Sequence, residues 1–181
     1  MGEAKRLRAH KASQMAEALR VELARLMVPP SASEARLLAE IEEMDFYKVQ
    51  RASDHVLTYG NMKPQQCHTN AGEYARLDPE KETQHVSGWW KRGDIFYFHS
   101  VVLRQTKLFC VTPHADGSAL EFAPDFDITW HDAGDRWRSA RGGGEVPYLV
   151  RRDPLEVIDI CTSALAQLDA GVDPFTIRIP L

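Results

Sequence analysis

Cys67 is the residue in this sequence best placed to do chemistry. It follows Pro64-Gln65-Gln66 and precedes Thr69–Leu77, a run that predicts a short helix ended at Asp78-Pro79. A thiol at a helix N-terminus feels the positive end of the macrodipole, which favours the thiolate, the nucleophilic form. His99 lies farther on, in the strand-like run Phe96-Tyr97-Phe98-His99-Ser100-Val101-Val102. Alternation sets it on one face with Tyr97 and Val101, opposite Phe98 and Ser100. A histidine held this way can serve the thiol as general base. Gln65 or Gln66, with the backbone N–H of Cys67, can supply donors to an oxyanion. A plainer reading stands beside this one. Free cysteine usually packs as a small hydrophobe, and a histidine in an apolar strand is often a satisfied core residue.

Cys67, His68, His99, His114 and His131 have the ligand chemistry for zinc. Adjacent Cys67 and His68 point apart on a helix, however, and His114 and His131, near Asp116 and Asp132, show no H-x-x-x-H or HExxH spacing. Solvated loop histidines are the simpler expectation for that pair. Trp89 and Trp90 face opposite sides of their strand, so one is expected to line a cleft while core packing takes the other. Gly142-Gly143-Gly144 lacks the Lys-Ser/Thr of a phosphate loop and reads as a flexible lid or hinge.

The elements that must position these groups are legible from periodicity and caps. Apolar residues at helical spacing predict a long amphipathic helix over 4–28, stopped by Pro29-Pro30. Ser31 and Glu34 have capping-box spacing, opening a second helix over about 33–47. Short apolar runs follow. Val56–Tyr59 and His85–Trp90 read as strands, and Ile95–Leu103 with Lys107–Thr112 as a hairpin. Leu120–Ala123 adds a short strand, and Asp125–Gly144 reads as a long irregular segment. Asp153-Pro154-Leu155-Glu156 opens a last helix that Gly171 can cap. The expected fold is α+β: an N-terminal helical hairpin, a central, mainly antiparallel sheet and a C-terminal helix. The expected division is a hairpin over 1–50 and a core over 51–181.

Composition sets the outer bounds. The chain has 181 residues, 44% hydrophobic and 27% charged, enough to bury a core without staples. Lys+Arg of 22 against Asp+Glu of 26 gives a net charge of −4, which is no nucleic-acid footprint. The cluster Arg136, Arg138 and Arg141 is expected on a solvated face. No apolar run nears the roughly 20 residues that span a bilayer, and the N-terminus shows no apolar signal core. Cys67, Cys110 and Cys161 form no CxxC or disulfide framework. The expectation is a reducing, cytoplasmic location with no membrane and no nucleic-acid partner.

Four strings taken together, Cys67-His68-Thr69-Asn70, Gly88-Trp89-Trp90, His99-Ser100-Val101-Val102 and Val111-Thr112-Pro113, resemble a group of bacterial and phage proteins. That group shares the order C-H-x-N, G-W, H-[SA]-V and T-P. It is similar in turn to the broad papain-like and transglutaminase-like thiol superfamily, with cysteine on a helix before histidine on a strand. The resemblance covers about residues 60–130. It implies a Cys67 nucleophile, a His99 base and a papain-like or transglutaminase-like core. The superfamily usually orients its histidine with an acid or amide on the next strand. Here that position holds Cys110, so Asp125 or Asp127 is the expected substitute. The resulting expectation is a cysteine-dependent hydrolase or acyltransferase acting on an amide, isopeptide or thioester bond. Cys67, His99, Asp125 and Gln66 would be catalytic, and Trp89, Trp90 and Asn70 would contact a peptide, protein or small acyl substrate. No cofactor is required. The competing expectation is a non-catalytic interaction module on a degenerate thiol-hydrolase scaffold, whose partner could use the N-terminal helix.

Overall fold

The computed structural model describes residues 2–114, 117, 119–134 and 136–179. Asp116, near His114 in the sequence, lies outside the described residues. The chain divides into two compact units, residues 1–36, 93–95 and 151–181 in one, 37–92 and 96–150 in the other. The architecture is α+β with a mixed sheet. The boundary expected near residue 50 falls inside a strand.

The first unit is built from α1 (Glu3–Leu26), the first turns of α2 (Ala32–Glu42) and α5 (Pro154–Asp169). Leu23 and Leu26 of α1 are fully buried, and each buried leucine is worth about 2 kcal/mol of apolar transfer. α1 packs against α5, whose buried face is Val157, Cys161, Ala164 and Leu168. Local signals set the ends. Ser31 Oγ accepts from Glu34 N at 3.1 Å, and Asp153 Oδ1 accepts from Leu155 N and Glu156 N. Gly171, at φ 77°, closes α5 by donating to Leu168 O, while Val172 N reaches Gln167 O. Glu34 does more than open a helix. Its carboxylate clamps the buried Arg151 guanidinium at 2.7 and 2.8 Å, and Arg151 Nη1 also donates to the carbonyls of Leu26 and Val28. Those carbonyls lie at the C-terminal end of α1, where helical partners run out.

The second unit is organised on a closed barrel of five strands. These are β1 (Tyr47–Arg51), β2 (Thr83–Arg92), β3 (Ile95–Arg104), β4 (Lys107–Cys110) and β5 (Leu120–Pro124). Their order is β2-β5-β1-β4-β3, and β3 pairs back to β2. Only β1 and β4 run parallel among these pairs, with Gln50 opposite Phe109 and Arg51 opposite Cys110. The long β3 also carries β9 (Leu149–Arg151) along its first half, where Phe98 N donates to Tyr148 O at 3.0 Å. Val49, Val86, Val101, Cys110, Leu120 and Phe122 form one apolar cluster of this barrel. Gly88 is required by closeness: a Cβ there would lie 2.0 Å from Ala123 O on β5. Outside, Leu37, Leu38 and Ile41 of α2 join Trp89, Phe96, Phe98 and Val150, and α4 (Cys67–Leu77) lays Ala71 near Val102 and Val111.

Four sequence expectations are corrected. The expected strand Val56–Tyr59 is part of a helix, α3 (Asp54–Tyr59), because Ser53 caps it by accepting from Val56 N. The second helix ends at Glu42 rather than near 47, and β1 takes up Tyr47 onward. The expected irregular segment 125–144 folds into β6 (Thr129–Asp132), β7 (Trp137–Arg141) and β8 (Gly144–Glu145), a separate three-stranded sheet. Gly142 and Gly143 both have positive φ, 55° and 82°, and form the two-residue turn between β7 and β8. The triple glycine is therefore a hairpin turn, not a hinge.

Candidate functional site

Cys67 opens α4, as its position in the sequence predicts. Its side chain is half-buried, and the sulfur receives backbone hydrogen bonds from Ser100, His68 and its own N–H. Burial outweighs these donors and pushes the thiol up to about 11, with Cys110 nearby adding to the rise. No imidazole hydrogen-bonds this sulfur among the described residues.

His99 belongs to a different neighbourhood. Its ring is buried, between Trp90 and Phe122, and its Nε2 meets Cys110 Sγ at 3.4 Å. The strand after the histidine thus holds Cys110 against it, and Cys110 is fixed in turn by Thr112 N. Burial lowers His99 to about 3, with smaller contributions from His68 and His114. The two groups are tuned apart from a thiolate–imidazolium pair: the thiol is pushed up and the imidazole down.

A second constellation lies on the opposite face of β3. Ser100, fully buried, sits between two histidines, with His68 Nδ1 at 2.7 Å and His85 Nε2 at 2.8 Å from its hydroxyl oxygen. Ser87 Oγ is 3.1 Å from Ser100 Oγ and accepts the indole N–H of Trp130 at 2.9 Å. Alternation explains the assembly. His85 and Ser87 are two apart on β2, Ser100 faces them from β3, and His68 reaches in from the first turn of α4. Both imidazoles stay neutral near pH 7. Burial lowers His68 to about 4, helped by His85, and lowers His85 as well. His68, His85, Phe98 and Trp130 line a groove of about 1120 Å³, with Tyr148, Trp137, Arg76, Arg136 and Arg138 among its walls. Trp130 packs over both histidines, with ring centroids 5.2 and 5.6 Å away.

The remaining expected site residues have structural partners. Asp125 is buried, but its carboxylate accepts from Trp89 Nε1 at 2.9 Å and Arg141 Nε at 2.7 Å, and His99 is not among its partners. Arg141 also pairs with Glu40 and, at 3.7 Å, with Asp127, so it is not part of a solvated basic face. Gln66 is exposed at the start of α4 and its side chain makes no cap bond. Asn70 is buried, bonding Lys63 through its backbone N–H and carbonyl, and Thr112 Oγ1. Trp89 is core; Trp90 lies under the Arg92 guanidinium, 4.9 Å from its ring centroid. No group of three or more His, Cys, Asp or Glu side chains able to hold a metal exists among the described residues. None of their helices is long and apolar enough to cross a membrane.

Sequence reasoning passed over His85, Ser87, Ser100 and Trp130. The available signal was three polar residues on the outward face of two strands whose other outward residues include Trp89, Phe98 and Val102. Comparison with protein-family models, curated protein sequences and solved structures gave no match.

Proposed function

We propose that this chain is a binding module carrying a thiol-hydrolase-like order of elements, and that its ligand occupies the groove floored by His68 and His85. One observation carries the reading. Four polar side chains converge on the buried Ser100 hydroxyl or its neighbour Ser87 at the base of an aromatic groove. Buried polar networks of this kind are costly unless fully satisfied, and grooves with a few convergent polar groups are the usual ligand sites. Titration with small aromatic fragments, followed by backbone and indole NMR shifts, tests it. The largest shifts are expected at His68, His85, Trp130 and Tyr148. Shifts that cluster elsewhere, or none at all, would refute the reading.

Cys67-dependent hydrolysis or acyl transfer on an amide, isopeptide or thioester bond is the second reading. It is favoured by the backbone donors around the sulfur and by the place of Cys67 at the start of α4. In it Cys67 attacks a carbonyl and His99 shuttles the proton. Iodoacetamide labelling separates the two. With the thiol raised to about 11, labelling at pH 8 is expected to be about a hundredfold slower than for an ordinary thiol of pKa ~8.5, and to become normal in urea. Rapid labelling below pH 7 that slows in His99→Ala would establish the hydrolase instead.

A further inference from the structure

We infer that the groove selects an uncharged ligand group that donates and accepts hydrogen bonds at once, such as the amide edge of a pyridone or lactam ring. The inference rests on the groove being the ligand site, and it follows from counting protons. The Trp130 indole can only donate, so Ser87 Oγ accepts from it. The Ser87 proton must then leave in another direction. Ser100 Oγ lies at 3.1 Å, whereas His85 Nε2 is at 3.5 Å, the limit of a hydrogen bond. Ser87 therefore donates to Ser100.

A hydroxyl has one proton and two lone pairs. With one lone pair of Ser100 taken by Ser87, the other accepts from one imidazole, and the Ser100 proton goes to the other imidazole. The alternative, both imidazoles donating to Ser100, turns the Ser100 proton onto Ser87 and strands the buried Ser87 proton. His68 meets Ser100 through Nδ1 and His85 through Nε2. The two rings must then share a tautomer, both protonated on Nε2 or both on Nδ1. Their remaining nitrogens, His68 Nε2 and His85 Nδ1, make no hydrogen bond among the described residues, and both rings line the groove. In the first state His68 Nε2 donates and His85 Nδ1 accepts; in the second the roles reverse. Either way the floor offers one donor and one acceptor. Exchanging the states moves one proton between the rings through Ser100 and a second in the opposite direction between the two groove-facing nitrogens, through the ligand or solvent. Both rings end neutral, so a ligand can be read in either direction. An acceptor-only anion would always face one bare nitrogen lone pair.

The test uses the full chain with ring-¹⁵N-labelled histidine at pH 7. Three probes of similar size are titrated: 2-pyridone, N-methyl-2-pyridone, which lacks the donor, and benzoate. Binding of 2-pyridone about tenfold tighter than either analogue is expected, because each analogue leaves a groove nitrogen unpaired. The ring nitrogen shifts should show one tautomer common to His68 and His85. Ser100→Ala should bring the three affinities within about twofold. Should that variant fail to fold, Trp130→Phe removes the N–H that directs the chain while keeping an aromatic ring, and should relax the preference likewise. Equal affinities in the wild type overturn the inference and leave the groove reading standing. Binding of none overturns both, and unlike tautomers or an imidazolium at pH 7 overturn the inference alone.

Discussion

Lowering the pH from 7 to 4.5 is expected to destabilise this protein steeply, beginning well above the range in which its carboxylates titrate. Three imidazoles have lowered pKa values in the folded chain: His99 at about 3, His68 at about 4, and His85 below its ordinary value. Burial is the leading cause in each. In the unfolded chain all three take up protons near pH 6.5. Between that pH and the folded values the unfolded state binds more protons, so stability rises with pH and falls on acidification. The contribution is fully present above about pH 6.5 and is lost as pH falls towards 4. Each such group gives a slope of about 1.4 kcal/mol per pH unit, so two or three together give roughly 3–4. Urea midpoints at pH 7, 6, 5 and 4.5 measure this directly. His99→Gln keeps a neutral polar group beside Cys110 and should flatten the slope by about 1.4 kcal/mol per pH unit. A flat profile in the wild type would mean that water reaches these rings, and the closed arrangement around His99 would be wrong.

The same groups show where sequence reading succeeds and where it stops. Cys67 at a helix start and Asp153-Pro154 at another were legible because a helix end is a matter of a few consecutive residues. The β3–β4 hairpin was legible for the same reason: its antiparallel partners are joined by Gln105 and Thr106 alone. β1 was not, since its five residues pair in parallel with β4, nearly sixty positions away, and no local pattern announces that contact. Ser53-Asp54 did carry a start signal for α3, but Val56–Tyr59 alone favoured a strand, and the cap decided. The resemblance implied that the strand after the histidine presents Cys110 to it, and Cys110 Sγ lies 3.4 Å from His99 Nε2. That His68 and His85 share one serine depends on α4 and β2 meeting across β3, which residue spacing does not encode. Sequence could name candidate side chains; the barrel decided which of them face each other.

Asp125→Ala is expected to cost about 3 kcal/mol in urea unfolding while leaving the chemistry of His99 and Cys67 untouched. The carboxylate is buried, with Trp89 Nε1 and Arg141 Nε on one oxygen and Asp127 N on the other. Truncation orphans the N–H of a fully buried tryptophan, a penalty of about 1–3 kcal/mol. It also strips one anion from a largely buried guanidinium. Glu40 and Asp127 still neutralise Arg141, which holds the total to the lower end of the range for a broken buried pair, about 3–5 kcal/mol. Asp125→Asn keeps an acceptor for the indole and loses only the charge, so about half of that cost is expected. The diagnostic readout is functional. Were Asp125 the group that orients His99, either substitution would shift the His99 ring resonances and change the rate of Cys67 alkylation. The geometry gives His99 to Cys110 and Asp125 to Trp89 and Arg141. Both readouts should therefore match the wild type at temperatures where the variants remain folded. A displaced His99 resonance together with slower Cys67 labelling would instead tie Asp125 to the histidine and restore the catalytic reading of Cys67.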